Sequence, residues 1–366
     1  MRSYTAFGEL AEQRVVRDAG PGRVGLAEVF RRSYAHDESG RITSVEDSRW
    51  ARGPSGPEAA TLVFGHDVDG RLASSVVPDR GLTAYEADAA GNVPAAPVRL
   101  PQLPVADGGT GDRQRVVAVR VAAGWTLGYD ADGNLLSKRS VAGPEAWRYV
   151  YDAAGRLAEV WRGDGPGETC VGRYGYDVLG RRVARQAWSE DRSGLTERVV
   201  WDGDVPAERR RVERAPQALG VASAAVSVRT YAFEGLEPLA LLDDEEGVAV
   251  IECDQVGQPG LAVDRDGALV WEGRFDPWGG EVAVGPVEPG GPEVEVRFPG
   301  QVADAESGLR YNRHRYYDPR TRAYVRNDLM GIEGGASASR LCGPAHRRHR
   351  SARALWRTPY HASVAG

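Results

Sequence analysis

Lysine is nearly absent from this sequence. Of 46 basic residues only Lys138 is a lysine, and the rest are arginines. Surface chemistry does not demand that bias, whereas a GC-rich coding sequence produces it. Cysteine is also scarce. Cys170, Cys253 and Cys342 lie far apart and form no Cys-x-x-Cys pair, so neither a disulfide framework nor a zinc ribbon is expected. No apolar run approaches 18 residues, which excludes a membrane-spanning helix. Met1 to Leu10 lacks the basic and apolar regions of a signal peptide. Positive charge does not dominate. The net charge is −6, too acidic and too mixed for a general nucleic-acid binder. There is no Gly-x-Ser-x-Gly elbow, no His-Glu-x-x-His and no phosphate loop, and nothing calls for a cofactor or a metal. What the chain does have is 46 Gly, 22 Pro and a hydrophobic share of 42%, over a length that can bury a substantial core.

The glycines are not scattered. His36-Asp37-Glu38-Ser39-Gly40-Arg41-Ile42 recurs as His66-Asp67-Val68-Asp69-Gly70-Arg71-Leu72 and as Tyr129-Asp130-Ala131-Asp132-Gly133-Asn134-Leu135. Tyr151-Asp152-Ala153-Ala154-Gly155-Arg156-Leu157 and Tyr176-Asp177-Val178-Leu179-Gly180-Arg181-Arg182 follow, and a weaker copy ends at Gly91-Asn92-Val93. Each unit has a physical meaning. An aromatic or His ends one strand. Asp opens a tight turn by accepting backbone N–H bonds, and Gly supplies a positive φ. Arg-Leu or Asn-Leu then starts the return strand. Hairpins strung at such a step predict an all-β array. Helical periodicity is poor. The best helix candidate is the charged stretch Ala207 to Leu219, and Gly280 to Pro292 is expected to be a loop.

Repeats of Tyr-Asp-x-x-Gly-Arg-Leu resemble the YD repeats of bacterial Rhs proteins and of the C components of insecticidal Tc toxins. The C-terminal third sharpens the resemblance. Trp201-Asp202-Gly203-Asp204, Gly257-Gln258-Pro259, Asp264 to Trp271 and Phe275-Asp276-Pro277-Trp278-Gly279 follow the order of the Rhs core. Phe298-Pro299-Gly300-Gln301, Glu306-Ser307-Gly308-Leu309 and Tyr311 to Pro319 form its signature block. The resemblance implies an all-β ribbon of hairpins spiralling into part of a hollow shell around a toxin. It divides the chain into a partial repeat or linker (1–29), a YD-repeat region (30–200), a core region (201–335) and a basic tail (336–366). The function implied is that of a shell fragment without a recognisable toxin domain and without enzymatic activity. Its partners would be an upstream shell portion or another Rhs-system chain, and a toxin or delivery component. Bacterial export or the cell surface would be its location. A self-cleaving toxin carrier and a β module that binds glycans or a partner on a cell surface are the alternatives.

Several constellations invite a chemical reading. In the family, Asp-Pro-x-Gly motifs after the signature block support autoproteolysis, which suits a pair of carboxylates. Here the sequence is Asn327-Asp328-Leu329-Met330-Gly331. Asp328 is the one catalytic candidate by resemblance, but Leu329 replaces the proline and a second motif is missing, so self-cleavage is not expected. Asp67-Val68-Asp69-Gly70, Asp130-Ala131-Asp132-Gly133 and Asp264-Arg265-Asp266-Gly267 look like fragments of calcium loops. After the first two, Pro78 and Val141 stand where a bidentate Glu is needed, so plain Asp turns are expected. His314 and Asp318 would lie about 13 Å apart along a strand, which favours packing over an acid/base pair. Tyr311, Tyr316, Tyr317 and Tyr324 suit a β core better than a sugar platform. Cys342, His346 and His349 form a chance cluster. Residues 336–366 carry six Arg and no acid, leaving −12 on the preceding residues, and are expected to be disordered. A coding frame shifted by one nucleotide from Leu341 permits Tyr-x-Asp-Pro and then Asp-Pro-Leu-Gly-Leu, so a frameshift near residues 335 to 340 is a candidate origin of this tail.

Overall fold

The computed structural model describes residues 1–18, 26–53, 56–57, 60–78, 80–85, 116, 118–189, 194–214, 224–244 and 247–326. Asp328, the Gly91 repeat copy, the Cys342 cluster and the tail 336–366 lie outside the described residues. Among the described residues there is no α-helix, and two short 3-10 turns, Ser48–Ala51 and Gly165–Gly167, interrupt an otherwise all-β chain. Every strand pairing is antiparallel, and within each sheet a strand pairs with its neighbour in the chain except that Ile42–Asp47 pairs with Ala60–His66, past the small hairpin Arg52–Gly53 and Gly56–Pro57. A seven-stranded sheet runs from Arg2–Tyr4 to Gly81–Ala84. A fifteen-stranded sheet runs from Ala118–Ala122 to Glu281–Pro286, and a four-stranded sheet covers Val302–Asp304 to Ala323–Tyr324. The expected all-β ribbon of hairpins is thus the fold.

The repeat motif explains why the hairpins form. In the copy at Asp37, the Oδ1 atom accepts the N–H groups of Ser39 and Arg41, each at 2.9 Å. The Asp37 carbonyl accepts from Gly40 N–H at 2.9 Å, and Asp37 N–H donates to the Arg41 carbonyl at 2.9 Å. The same turn recurs at Asp152 and Asp177. Gly40, Gly70, Gly133, Gly155 and Gly180 take φ of 73, 75, 79, 72 and 74°. The aspartates suspected of calcium binding are also turn-formers: Asp67, Asp130 and Asp264 accept backbone N–H groups at 2.8 to 3.0 Å. Asp254 and Asp276 build the same turn outside the six recognised copies of the motif.

Arginine and tyrosine of the motif stitch one hairpin to the next. Arg156 Nε holds Asp152 Oδ2 of its own turn at 2.7 Å, and its Nη1 donates to the Asp177 carbonyl of the next turn at 3.2 Å. Arg181 reaches the Gly203 carbonyl in the same way at 3.3 Å. Backwards, the Tyr151 hydroxyl donates to the Leu135 carbonyl at 3.1 Å and the Tyr176 hydroxyl to the Leu157 carbonyl at 2.6 Å. Trp201 substitutes for tyrosine, and its indole N–H donates to the Arg182 carbonyl at 2.8 Å.

Two expectations fail. The part of Ala207 to Leu219 that the structure describes is not helical: Val205–Arg214 is a strand between Gly194–Asp202 and Ala224–Glu234, and residues 215–219 lie outside the described residues. Its charges alternate with period two, Arg209 and Arg211 buried and Glu208 and Arg210 turned outward, which is a strand signal. Gly280 to Pro292 is only partly a loop, because Glu281–Pro286 pairs with Leu269–Phe275 and closes the large sheet.

The core lies between the sheets. Trp147, Tyr149 and Tyr151 alternate inward along Ala146–Tyr151 and pack with Leu135, Leu157, Leu309, Tyr311 and Tyr316. Burying each such side chain contributes about 1.5–3 kcal/mol. The seven-stranded sheet docks on the large one through Phe30 against Leu261 and Val263. Arg49 Nη1 donates to the carbonyls of Gly260 and, at 3.1 Å, Gly273, and Gln13 Nε2 donates to the Cys253 carbonyl at 2.8 Å.

Candidate functional site at the seam

The four-stranded sheet and the segment Glu293 to Arg297 before it form a terminal block that covers one face of the large sheet. The seam is built from charge. Four neighbouring strands, Arg182–Trp188, Gly194–Asp202, Val205–Arg214 and Ala224–Glu234, set Arg185, Glu197 and Arg211 in direct cross-strand register. Arg209 and Arg229 are likewise opposite each other. The block supplies Glu295, Asp304 and Glu306.

The pairing is dense. Arg182 Nη1 donates to Asp304 Oδ2 at 2.5 Å. Arg185 donates to Glu306 through Nε at 3.0 Å and Nη2 at 2.5 Å. Arg209 bridges Glu197 at 2.8 Å and Glu295 at 2.6 Å, and Arg211 holds Glu197 at 2.9 Å and also contacts Glu295. Arg229 pairs with Asp243 at 2.6 Å. Burial by itself would raise the Glu197 carboxyl, yet Arg209, Arg211 and Arg185 hold it well below the usual carboxylate range. Burial and the same guanidinium groups of Arg209 and Arg211 compete at Glu295, and the arginines bring it down to about 2. Burial opposes the charge on Arg182 and Arg185, but the facing acids keep both guanidiniums firmly protonated.

Arg182 is the centre of the lock. It is 2% exposed although four other copies of the motif carry Leu or Ile at this place. Its guanidinium lies 5.3, 4.4 and 5.8 Å from the ring centroids of Tyr174, Tyr311 and Tyr316. Its backbone N–H donates to the Tyr311 hydroxyl at 2.8 Å. A second lock involves the lone lysine. Lys138 Nζ donates to Asp318 Oδ2 at 2.6 Å and sits 4.4 Å from the Trp125 ring centroid, with both charged side chains buried. Backbone pairing completes the seam: Leu135 N–H donates to the Val325 carbonyl at 2.7 Å.

The residues singled out from sequence fall into place around this seam. Tyr311 faces Tyr316, and Tyr317 faces Tyr324, with ring centroids 5.3 and 5.6 Å apart, all four buried as core. His314 stands in the turn between Leu309–Asn312 and Arg315–Asp318, away from Asp318, which is bound to Lys138. Asp328 lies outside the described residues, beyond Arg326, whose Nη1 donates to the Gly155 carbonyl. Sequence reading missed Arg182, Asp304 and Glu306 as partners. The available signal was the break in the repeat, Gly180-Arg181-Arg182 where Leu is expected. As a set, these charges neutralise one another inside protein, and what they accomplish is to fasten the block to the ribbon.

Known proteins agree with that architecture. The family description of the teneurin YD-shell matches residues 22–337. The double-stranded DNA deaminase toxin A of Burkholderia cenocepacia (strain H111) is 31% identical over 328 residues, covering 84% of this chain and 21% of that protein. Toxin protein Tse5 of Pseudomonas aeruginosa is 29% identical over 388 residues, covering 91% of this chain and 27% of its own length. The chain therefore spans about a fifth to a quarter of these relatives. The crystal structure of TcdB2-TccC3 without its hypervariable C-terminal region superposes with a TM-score of 0.62 at 16% identity, over 93% of this chain and 17% of that one, a likeness of fold. With its hairpin ribbon, its locked terminal block and a family match across most of its length, the chain belongs to the Rhs/YD-shell family.

Proposed function

We propose that the chain is a wall segment of the encapsulating shell of a bacterial polymorphic-toxin system, and that it performs no catalysis of its own. The observation that carries this reading is the seam. Arg182, Arg185, Arg209 and Arg211 are each matched by a carboxylate from ribbon or block, so the most conspicuous polar cluster is committed to holding the wall together. The division into a repeat region over 30–200 and a core region over 201–335 is part of this proposal; the large sheet runs through the boundary within the strand Gly194–Asp202.

The partner this reading requires is a further stretch of YD ribbon. Arg2–Tyr4 is an edge strand of the seven-stranded sheet, and Arg2 binds Glu237 and Glu252 of the large sheet. On that same face Leu242 and Val248 stand in register, and Val250 follows two residues on; all three are exposed. A hairpin added to the edge would cover them. Relatives named as toxins support export or a cell-surface location. The test is co-expression with a preceding YD-repeat segment. One co-eluting species with residues 242–250 newly shielded from hydrogen exchange supports the reading, and two independently eluting chains contradict it.

Self-cleavage at Asp328 is the rival reading. With Leu329 in place of proline, the motif lacks the residue that would fix φ near −65°. Intact mass after prolonged incubation is expected to show one unbroken chain. A discrete C-terminal product that vanishes in Asp328→Asn would establish the rival.

A further inference from the structure

Beside the seam lies a cavity of about 310 Å³ between the repeat turns at Gly155 and Gly180 and the signature block. Its chemistry is one-sided. Arg156, Arg313, Arg315 and Arg326 line it together with Tyr176 and Tyr316, and among the described residues no Asp or Glu does. The described acids of the adjoining turns are already engaged: Asp152 with Arg156 at 2.7 Å, Asp177 with Arg181 at 2.7 Å, and Asp204 with Arg313 at 2.7 Å. Arg326 is bonded to a backbone carbonyl and to no carboxylate among the described residues. This is a cationic spot on a chain whose net charge is −6.

Arg313 carries two further anomalies. Its Nε–H is buried and has no hydrogen-bond partner, although a buried guanidinium donor left unpaired is costly. Its φ is +54°, a left-handed conformation that a non-glycine residue adopts at an energetic cost. Trp201, 5.6 Å from the guanidinium, helps to hold it there. Strain and an unmet donor at one residue, on a cavity wall with no carboxylate among the described residues, mark a place prepared for an acceptor that those residues do not supply.

We propose that this cavity binds an organic anion, a carboxylate or phosphate carried on a flat apolar stem. The anionic oxygens would accept from Arg313 and Arg326, and the stem would lie against the rings of Tyr176 and Tyr316. The volume is at the lower end of small-ligand sites, so one ring with one anionic group fits.

Calorimetric titration of the full chain with phenyl phosphate, benzoate and neutral benzyl alcohol tests this. Binding of at least one anion, and none of benzyl alcohol, is expected. Tighter binding of the phosphate assigns a phosphorylated ligand, and equal or tighter binding of benzoate assigns a carboxylate. Arg313→Gln and Arg326→Gln should each weaken binding about tenfold or more, the loss of one charged hydrogen bond. Arg320→Gln, which removes an exposed pair with Glu145, should bind as the parent does. A thermal melt confirms that each variant is folded. No anion binding up to about 10 mM, beyond the weakest useful affinity, would overturn the proposal, as would undiminished binding in both pocket variants or equal binding of benzyl alcohol.

Discussion

At position 182 the repeat places arginine where four other copies place Leu or Ile, and that departure locates the seam. Replacing it with the repeat's own residue tests the point. Arg182→Leu leaves Asp304 fully buried with no short ion pair, since Arg185 Nε is 3.6 Å away. Breaking one side of a buried pair costs about 3–5 kcal/mol, whereas Arg182→Leu with Asp304→Leu should recover most of that loss. Urea denaturation of the four proteins in the cycle reads the coupling, and simple additivity would refute the lock. Lys138 tells a similar story. It is the one lysine among so many arginines, and its compact ammonium fits between the Trp125 ring and Asp318. Gly155 shows what the sequence did reveal. Its φ of 72° was implied by the motif, and a Cβ there would also meet Arg326 Nη2 at 3.0 Å. Gly155→Val is expected to destabilise the chain by about 1–2 kcal/mol or more in the same assay.

A strand is where the reading of this sequence succeeded and where it erred. The hairpins were legible because Asp, Gly and an aromatic recur at fixed offsets, each with a local physical role. Val205–Arg214 was not, because its inward positions hold Arg209 and Arg211 in place of apolar residues. Their burial depends on Glu197 one strand away and on Glu295 from the block, a long-range pairing that no local pattern encodes. The same acids make the seam sensitive to acid. Glu197 and Glu295 titrate lower folded than unfolded, so their stabilisation is complete above about pH 4.3, the unfolded value. It is lost as pH falls towards about 2, where Glu295 protonates. Asp254, raised by burial, contributes with the opposite sign. The urea midpoint is therefore expected to fall between pH 5 and pH 3, and a flat or rising midpoint would show that the seam acids do not control stability. Within the ribbon, Tyr176→Phe removes the donor to the Leu157 carbonyl and should cost about 1 kcal/mol.

At the scale of the whole molecule the described strands make a curtain of antiparallel hairpins, and each sheet has edge strands with no second neighbour among the described residues. Arg2–Tyr4 and Gly81–Ala84 are the edges of one sheet, and Ala118–Ala122 and Glu281–Pro286 the edges of the other. Near the first of these edges, Val248 and Val250 are about half exposed, at 48% and 52%. Unblunted edges beside apolar surface template association. The purified chain is expected to self-associate with rising concentration in sedimentation velocity, and Val250→Arg to lessen it; a monomer at every concentration would contradict this. The central claim is that ribbon and terminal block are one cooperative wall held by the charged seam. Hydrogen exchange read by mass spectrometry on the parent and Arg182→Leu addresses it most directly. The account predicts that the variant loses protection in residues 182–188 and 302–318 together. Deprotection of the block alone, with the ribbon unchanged, would contradict it.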